Sequence, residues 1–189
     1  MSNKKVLNRL DNTKLPNNLS LERSEKYMSN PIDKAKNDFL QAKGGLLHAL
    51  SNTPDDRLNW SPSPSARSPL HQVVHAAHAI GNIHGFLDGR TFDVPTTAEA
   101  DRGFREMEQS FATREEVLQF FESKSDAFVT WLEALDEKQL GVLVTTPFGM
   151  GQVPTEIAIT FPAMHTRWHH AQMDYIQTIY GDHDWHLSI

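Results

Sequence analysis

The chain has 189 residues, 39% of them hydrophobic and 22% charged, with a formal net charge of −6 and no cysteine. That length and apolar fraction suit one domain around one core, while the missing cysteine excludes disulfides, thiolate-bound zinc, iron–sulfur clusters and a cysteine nucleophile. A negative total charge without any basic stripe argues against nucleic acid as a partner.

The N-terminus has no signal-peptide core, and no window reaches the roughly 18 consecutive apolar residues of a membrane span, so a cytoplasmic chain without a membrane partner is expected. Residues 1–29 are polar and Asn-rich and read as an N-terminal extension, flexible or lying on the surface, ahead of one domain over 30–189. Asn30-Pro31 is a cap followed by proline at the first helical position. Ile32, Ala35, Phe39, Ala42, Leu46 and Ala49 then recur at helical spacing, up to a stop at Asn52-Thr53-Pro54. Gly44-Gly45 interrupts this seam, at about 1 kcal/mol per glycine. Ser68-Pro69 opens a second helix to about Leu87, and Asp88-Gly89 ends it. Residues 90–111 read as a long loop or crossover. Thr113-Arg-Glu-Glu116 is a capping-box pattern introducing a third helix, closed near Gly141. Residues 142–153 read as a loop with a short hairpin, and Pro154 begins a fourth helix ending at Tyr180-Gly181. The expectation is all-α: a four-helix bundle with a long connection between helices two and three.

The chemistry concentrates in histidines. At about 100° per residue, His165, His169 and Gln172 share one arc on the core side of the last helix. Two imidazoles one turn apart on a buried face chelate a transition metal readily, and are costly to bury without partners. The competing structural reading is a pair of core histidines bonded to backbone carbonyls. A second stripe, His71, His75, His78 and Asn82, lies nearly opposite the apolar arc of its helix, which is centred on Val73, Ala77 and Ile80. His75 sits closest to the apolar flank; His71 and His78 then face solvent or a subunit contact. Other patterns fail on the residues. Thr166 follows His165 where a zinc protease needs Glu, no Glu stands three positions before a His, and no Gly-x-Ser-x-Gly elbow or glycine-rich phosphate loop occurs.

The stretch from Trp60 to Ala77, around Ser68-x-x-x-x-Val73-Val74-His75, resembles a helix-two signature of the DinB/YfiT-like proteins. His165-x-x-x-His169-x-x-Gln172, running on to Tyr175-Ile176 and Gly181, resembles that family's closing signature. The resemblance implies a four-helix bundle with a three-histidine site for one divalent ion (nickel, zinc, iron or manganese), with His75, His165 and His169 as ligands and Gln172 supporting without binding. It also implies homodimers, a small-molecule substrate and, in some members, a low-molecular-weight thiol as co-substrate. The acidic residue often present just before the helix-two histidine is replaced here by Gln72 or His71, and the 29-residue extension is not part of the pattern.

Two functions follow. One is a metal-dependent enzyme, either a thiol-dependent S-transferase or isomerase on a small electrophile, or a hydrolase using metal-bound water. Its general base is not on the inner face of the last helix and falls to His71, to His78 or to bound hydroxide. The other is a non-catalytic, stress-associated metal-binding protein in which the ion staples helices two and four.

Overall fold

The structure, a computed structural model, describes residues 30–92 and 96–186; the extension expected over residues 1–29 lies outside the described residues. Helix α1, Pro31–Asn52, begins on its proline and buries the predicted seam from Ile32 to Ala49. It runs straight through the glycine pair. Gly44 faces open space, whereas a Cβ at Gly45 would stand 2.7 Å from His170 Nδ1, so Gly45 is where the last helix comes close. The expected interruption is a contact point.

Helix α2, Pro69–Leu87, starts where Ser68 Oγ accepts the His71 amide at 3.3 Å, and stops at Asp88 before Gly89, whose φ of 81° suits glycine. The segment 90–111 is not a simple loop. It holds a helix, α3, over Thr97–Glu108. Thr96 accepts the Glu99 amide at 3.2 Å and donates to Glu99 Oε2 at 2.7 Å. Its apolar face is narrow, made by Ala100, Phe104 and Met107, and Ala100 and Glu108 are its buried residues. Helix α4, Arg114–Ala134, carries the predicted capping box with both of its hydrogen bonds. It ends before Gly141: Leu135 is already extended, and a 3-10 turn follows at Glu137–Gln139.

Strands β1, Leu143–Thr145, and β2, Gln152–Pro154, form an antiparallel hairpin with Val144 opposite Val153. Its tip turns through positive φ at Phe148, Gly149 and Gly151. The fourth predicted helix comes in two pieces, a short α5, Thr155–Ala158, and α6, Phe161–Ile179. Pro162 lacks the amide that would continue α5.

In the bundle α1 packs on α6, α6 on α2, and α2 on α4. Helix α2 is therefore central, with Val73, Val74, Ala76 and Ala77 fully buried. Phe39 meets Phe128 edge-on at 5.1 Å between α1 and α4, and each ring contributes about 1.5–3 kcal/mol by burial. Among the described residues no helix is long and apolar enough to cross a membrane.

Candidate metal centre

Helices α2 and α6 bring His75, His165 and His169 together, one ring nitrogen from each lying within 4.8 Å of the other two. His165 Nε2 is 3.4 Å from His169 Nε2. Two imidazole nitrogens at 2.0–2.1 Å from one tetrahedral ion would stand about 3.4 Å apart, so this pair already has chelate spacing. Among the described residues it is the group of three metal-ligating side chains that the fold assembles.

The tension over the α2 histidine stripe is resolved by α3. That stripe lies opposite the main core, yet His75 is only 9% exposed, because α3 covers it. Phe104 of α3 meets the His75 ring edge-on at 5.1 Å. His78 packs on Phe104 and on Phe120 of α4, at 6.1 and 4.8 Å. His71 and His78 are thus half-buried, and burial lowers the pKa of both.

Two partners orient the rings. Taking Glu108 as the ionised acceptor, His75 Nδ1 donates to Glu108 Oε1 at 3.1 Å. His169 Nδ1 donates to Gln72 Oε1 at 2.6 Å. Each bond places the proton on Nδ1 and leaves the Nε2 lone pair free. Gln172, the residue expected to support the site, is exposed. Its side chain also hydrogen-bonds the His169 ring, raising that pKa without offsetting burial. Gln72 marked a departure from the family pattern, yet it accepts from the His169 ring at 2.6 Å. The acid comes from α3 instead, where sequence reading saw a loop. The Thr96-x-x-Glu99 capping pattern was the signal that marked this helix.

Glu108 is 1% exposed and is held by more than His75. Arg67 Nε donates to both of its oxygens, at 2.8 and 2.9 Å, while Arg67 Nη2 donates to Asp101 at 2.6 Å and Arg105 Nε to the same carboxylate at 2.6 Å. Burial alone would raise the Glu108 pKa, but the hydrogen bonds from His75 and Arg67 hold it below the ordinary value. For the imidazoles burial dominates. It pushes His165 down to about 4 and His169 to about 2, helped by the neighbouring histidines and Arg67. Both rings are therefore neutral near pH 7, the form that donates a lone pair. His165 Nδ1 is buried without a partner.

The centre opens on one side. An apolar cleft of about 450 Å³ has His75 and His165 in its wall, with Phe86 and Asn82 from α2, Phe104 from α3, and Met164 and Trp168 from α6. The β1–β2 hairpin closes it through Thr146, Phe148 and Met150. His169 lies behind the wall. His71 and His78, considered as general bases, do not line the cleft.

Comparison with known proteins places this arrangement. The family model of the DinB superfamily matches residues 38–173. No curated protein matches the sequence. Three solved structures share the fold at low identity. A conserved protein from Enterococcus faecalis matches at 13% identity with a TM-score of 0.61, over 79% of this chain and 97% of that one. DfsB, described as a sibling lethal factor precursor, matches at 14% with a TM-score of 0.64, over 82% and 99%. The colibactin self-resistance protein ClbS, solved in complex with a dsDNA, matches at 12% with a TM-score of 0.59, over 78% and 95%. The last finding corrects one expectation. The net charge of −6 was read as excluding nucleic acid, yet a protein of this fold has been solved with a duplex. Local patches of potential, not total charge, decide such binding, so the exclusion does not stand.

Proposed function

The chain belongs to the DinB superfamily, and on that premise we propose that His75, His165 and His169 hold one divalent metal ion in an enzyme acting on small organic molecules. The observation that carries this reading is the convergence of three imidazoles, within 4.8 Å of one another, two of them in the wall of a cleft. The donor set fits the ion. Three imidazoles suit zinc, nickel or iron better than magnesium or calcium, and two of them have Nδ1 engaged so that Nε2 is left to coordinate. A bound ion would supply Lewis acidity, toward water for hydrolysis or toward a thiolate for transfer.

The chain's own residues do the rest. Glu108 fixes the His75 tautomer and balances positive charge gathered at the site. Gln72 fixes that of His169. The apolar walls keep bulk water from the substrate and so strengthen every electrostatic interaction inside. The opening toward the cleft favours catalysis over a closed structural site.

The test is elemental analysis of protein purified without added metal or chelator. One equivalent of a transition metal is expected in the wild type, and a loss of at least tenfold in affinity in His75→Ala and His169→Ala. Activity on a panel of small esters, amides and electrophiles should fall with the metal. Wild-type metal content in both variants would refute the site.

A further inference from the structure

The walls of the cleft say what kind of molecule it takes. Phe86, Phe92, Phe104, Phe148, Phe161 and Trp168 line it, from α2, α3, α6, the hairpin tip and the segment after α2. Asn82, Thr146 and the two histidines are the polar groups among the described lining residues, and no Lys, Arg, Asp or Glu is among them. One cation beyond the wall, Arg90, lies in the adjoining groove behind the hairpin and packs against Gly85, and another, Arg67, is paired with Glu108 behind His75. A volume of about 450 Å³ is that of a small-molecule site.

We infer that this cleft selects an uncharged, mainly apolar, aromatic-sized substrate that presents one polar reactive atom to the His75–His165 end, and that it rejects carboxylated thiols as co-substrates. The inference deepens the metal-dependent reading and rests on it for the chemistry. A low-molecular-weight thiol bearing carboxylates would take its sulfur to the proposed ion and leave those carboxylates farther along the cleft, where the described lining residues offer no cationic side chain. Each unpaired charge desolvated there costs at least tenfold in affinity. An apolar ring gains instead, through burial and edge contacts with the aromatic lining. Asn82 and Thr146 are enough to orient one neutral polar group.

The experiment reads binding, so it is separable from the metal test above. The protein as purified is titrated with N-phenyl-1-naphthylamine, a neutral fluorophore, and with 1-anilinonaphthalene-8-sulfonate, the same skeleton carrying one anion. The neutral probe is expected to bind saturably at one site and at least tenfold more tightly than the sulfonate. Ile83→Asp, which places an anion in the wall away from the histidines, should weaken the neutral probe at least tenfold, and Ile83→Leu should leave it unchanged. The inference is overturned by sulfonate binding within tenfold of the neutral probe, by no binding of the neutral probe, or by indifference to Ile83→Asp in a variant that melts normally. Failure here with one metal equivalent still bound would refute the substrate class and leave the metal centre standing.

Discussion

Glu108→Ala is the most informative single change. In the wild type this carboxylate, 1% exposed, accepts two hydrogen bonds from Arg67 and one from His75. Removing it strands a buried guanidinium and a buried imidazole N–H together. Breaking a buried ion pair by deleting one partner costs about 3–5 kcal/mol. Arg67 keeps its 2.6 Å bond to Asp101, which puts the loss at the lower end, about 3 kcal/mol. For a domain of this size that is a fall in Tm of about 6–12 °C. A second effect follows from the His75 ring, which loses the bond that sets its tautomer; metal affinity should drop about 10–100-fold. Glu108→Gln separates the two effects. Its amide oxygen still accepts from His75, so metal affinity recovers most of the loss, while the missing charge keeps Tm low. Thermal melts of metal-free protein and competition against a chromophoric chelator give the two numbers. A Tm for Glu108→Ala within about 2 °C of the wild type would refute the cost assigned to breaking this buried network.

Three further outcomes are expected. His165 and His169 are held below the ordinary histidine value, at about 4 and about 2, so the unfolded chain binds more protons than the folded one below pH about 6.5. Their contribution is fully present above that pH and is lost as pH falls toward the folded values; metal-free protein should lose about 3–4 kcal/mol between pH 7 and 5, and a flat denaturation midpoint over that range would contradict it. Gly44→Ala should stabilise by about 0.5–1 kcal/mol, since it lies exposed in α1 with open space around it, whereas Gly45→Ala should destabilise by pressing on His170; urea midpoints of the pair test this, and equal signs would refute the close approach. Metal added at about 100 times its Kd should stabilise by about 2.7 kcal/mol, and a chelator should reverse it; a melting curve indifferent to both would count against the ion.

The bundle was legible because its four long helices carry apolar seams and two of them start on caps that the structure keeps, Ser68 ahead of Pro69 and Thr113 with Glu116. Helix α3 was not. It packs through Ala100, Phe104 and a buried carboxylate, and its apolar face of Ala100, Phe104 and Met107 is short beside the seams of the long helices. Missing α3 had a cost at the site, because Phe104, which covers His75, and Glu108, which orients it, both fall in the segment read as a loop or crossover. Buried, charged Glu108 contradicts its own residue type, and only the spatial pairing with Arg67 and His75 explains it. Gly45 failed in the same way, since its intrinsic helix penalty is local while its justification, the ring of His170, lies on another helix. The histidine pair of α6 was readable because both members sit on one helix.

The hydrogen bond from His169 to Gln72 joins residues 97 positions apart, and that from His75 to Glu108 joins residues 33 apart. The half-site on α2 and α3 is thus the more local of the two, an imidazole and its carboxylate on neighbouring helices. Two of the three proposed ligands emerge only with the last helix. A chain shortened ahead of α6 would keep His75 and its carboxylate but lack the pair that the proposed site needs.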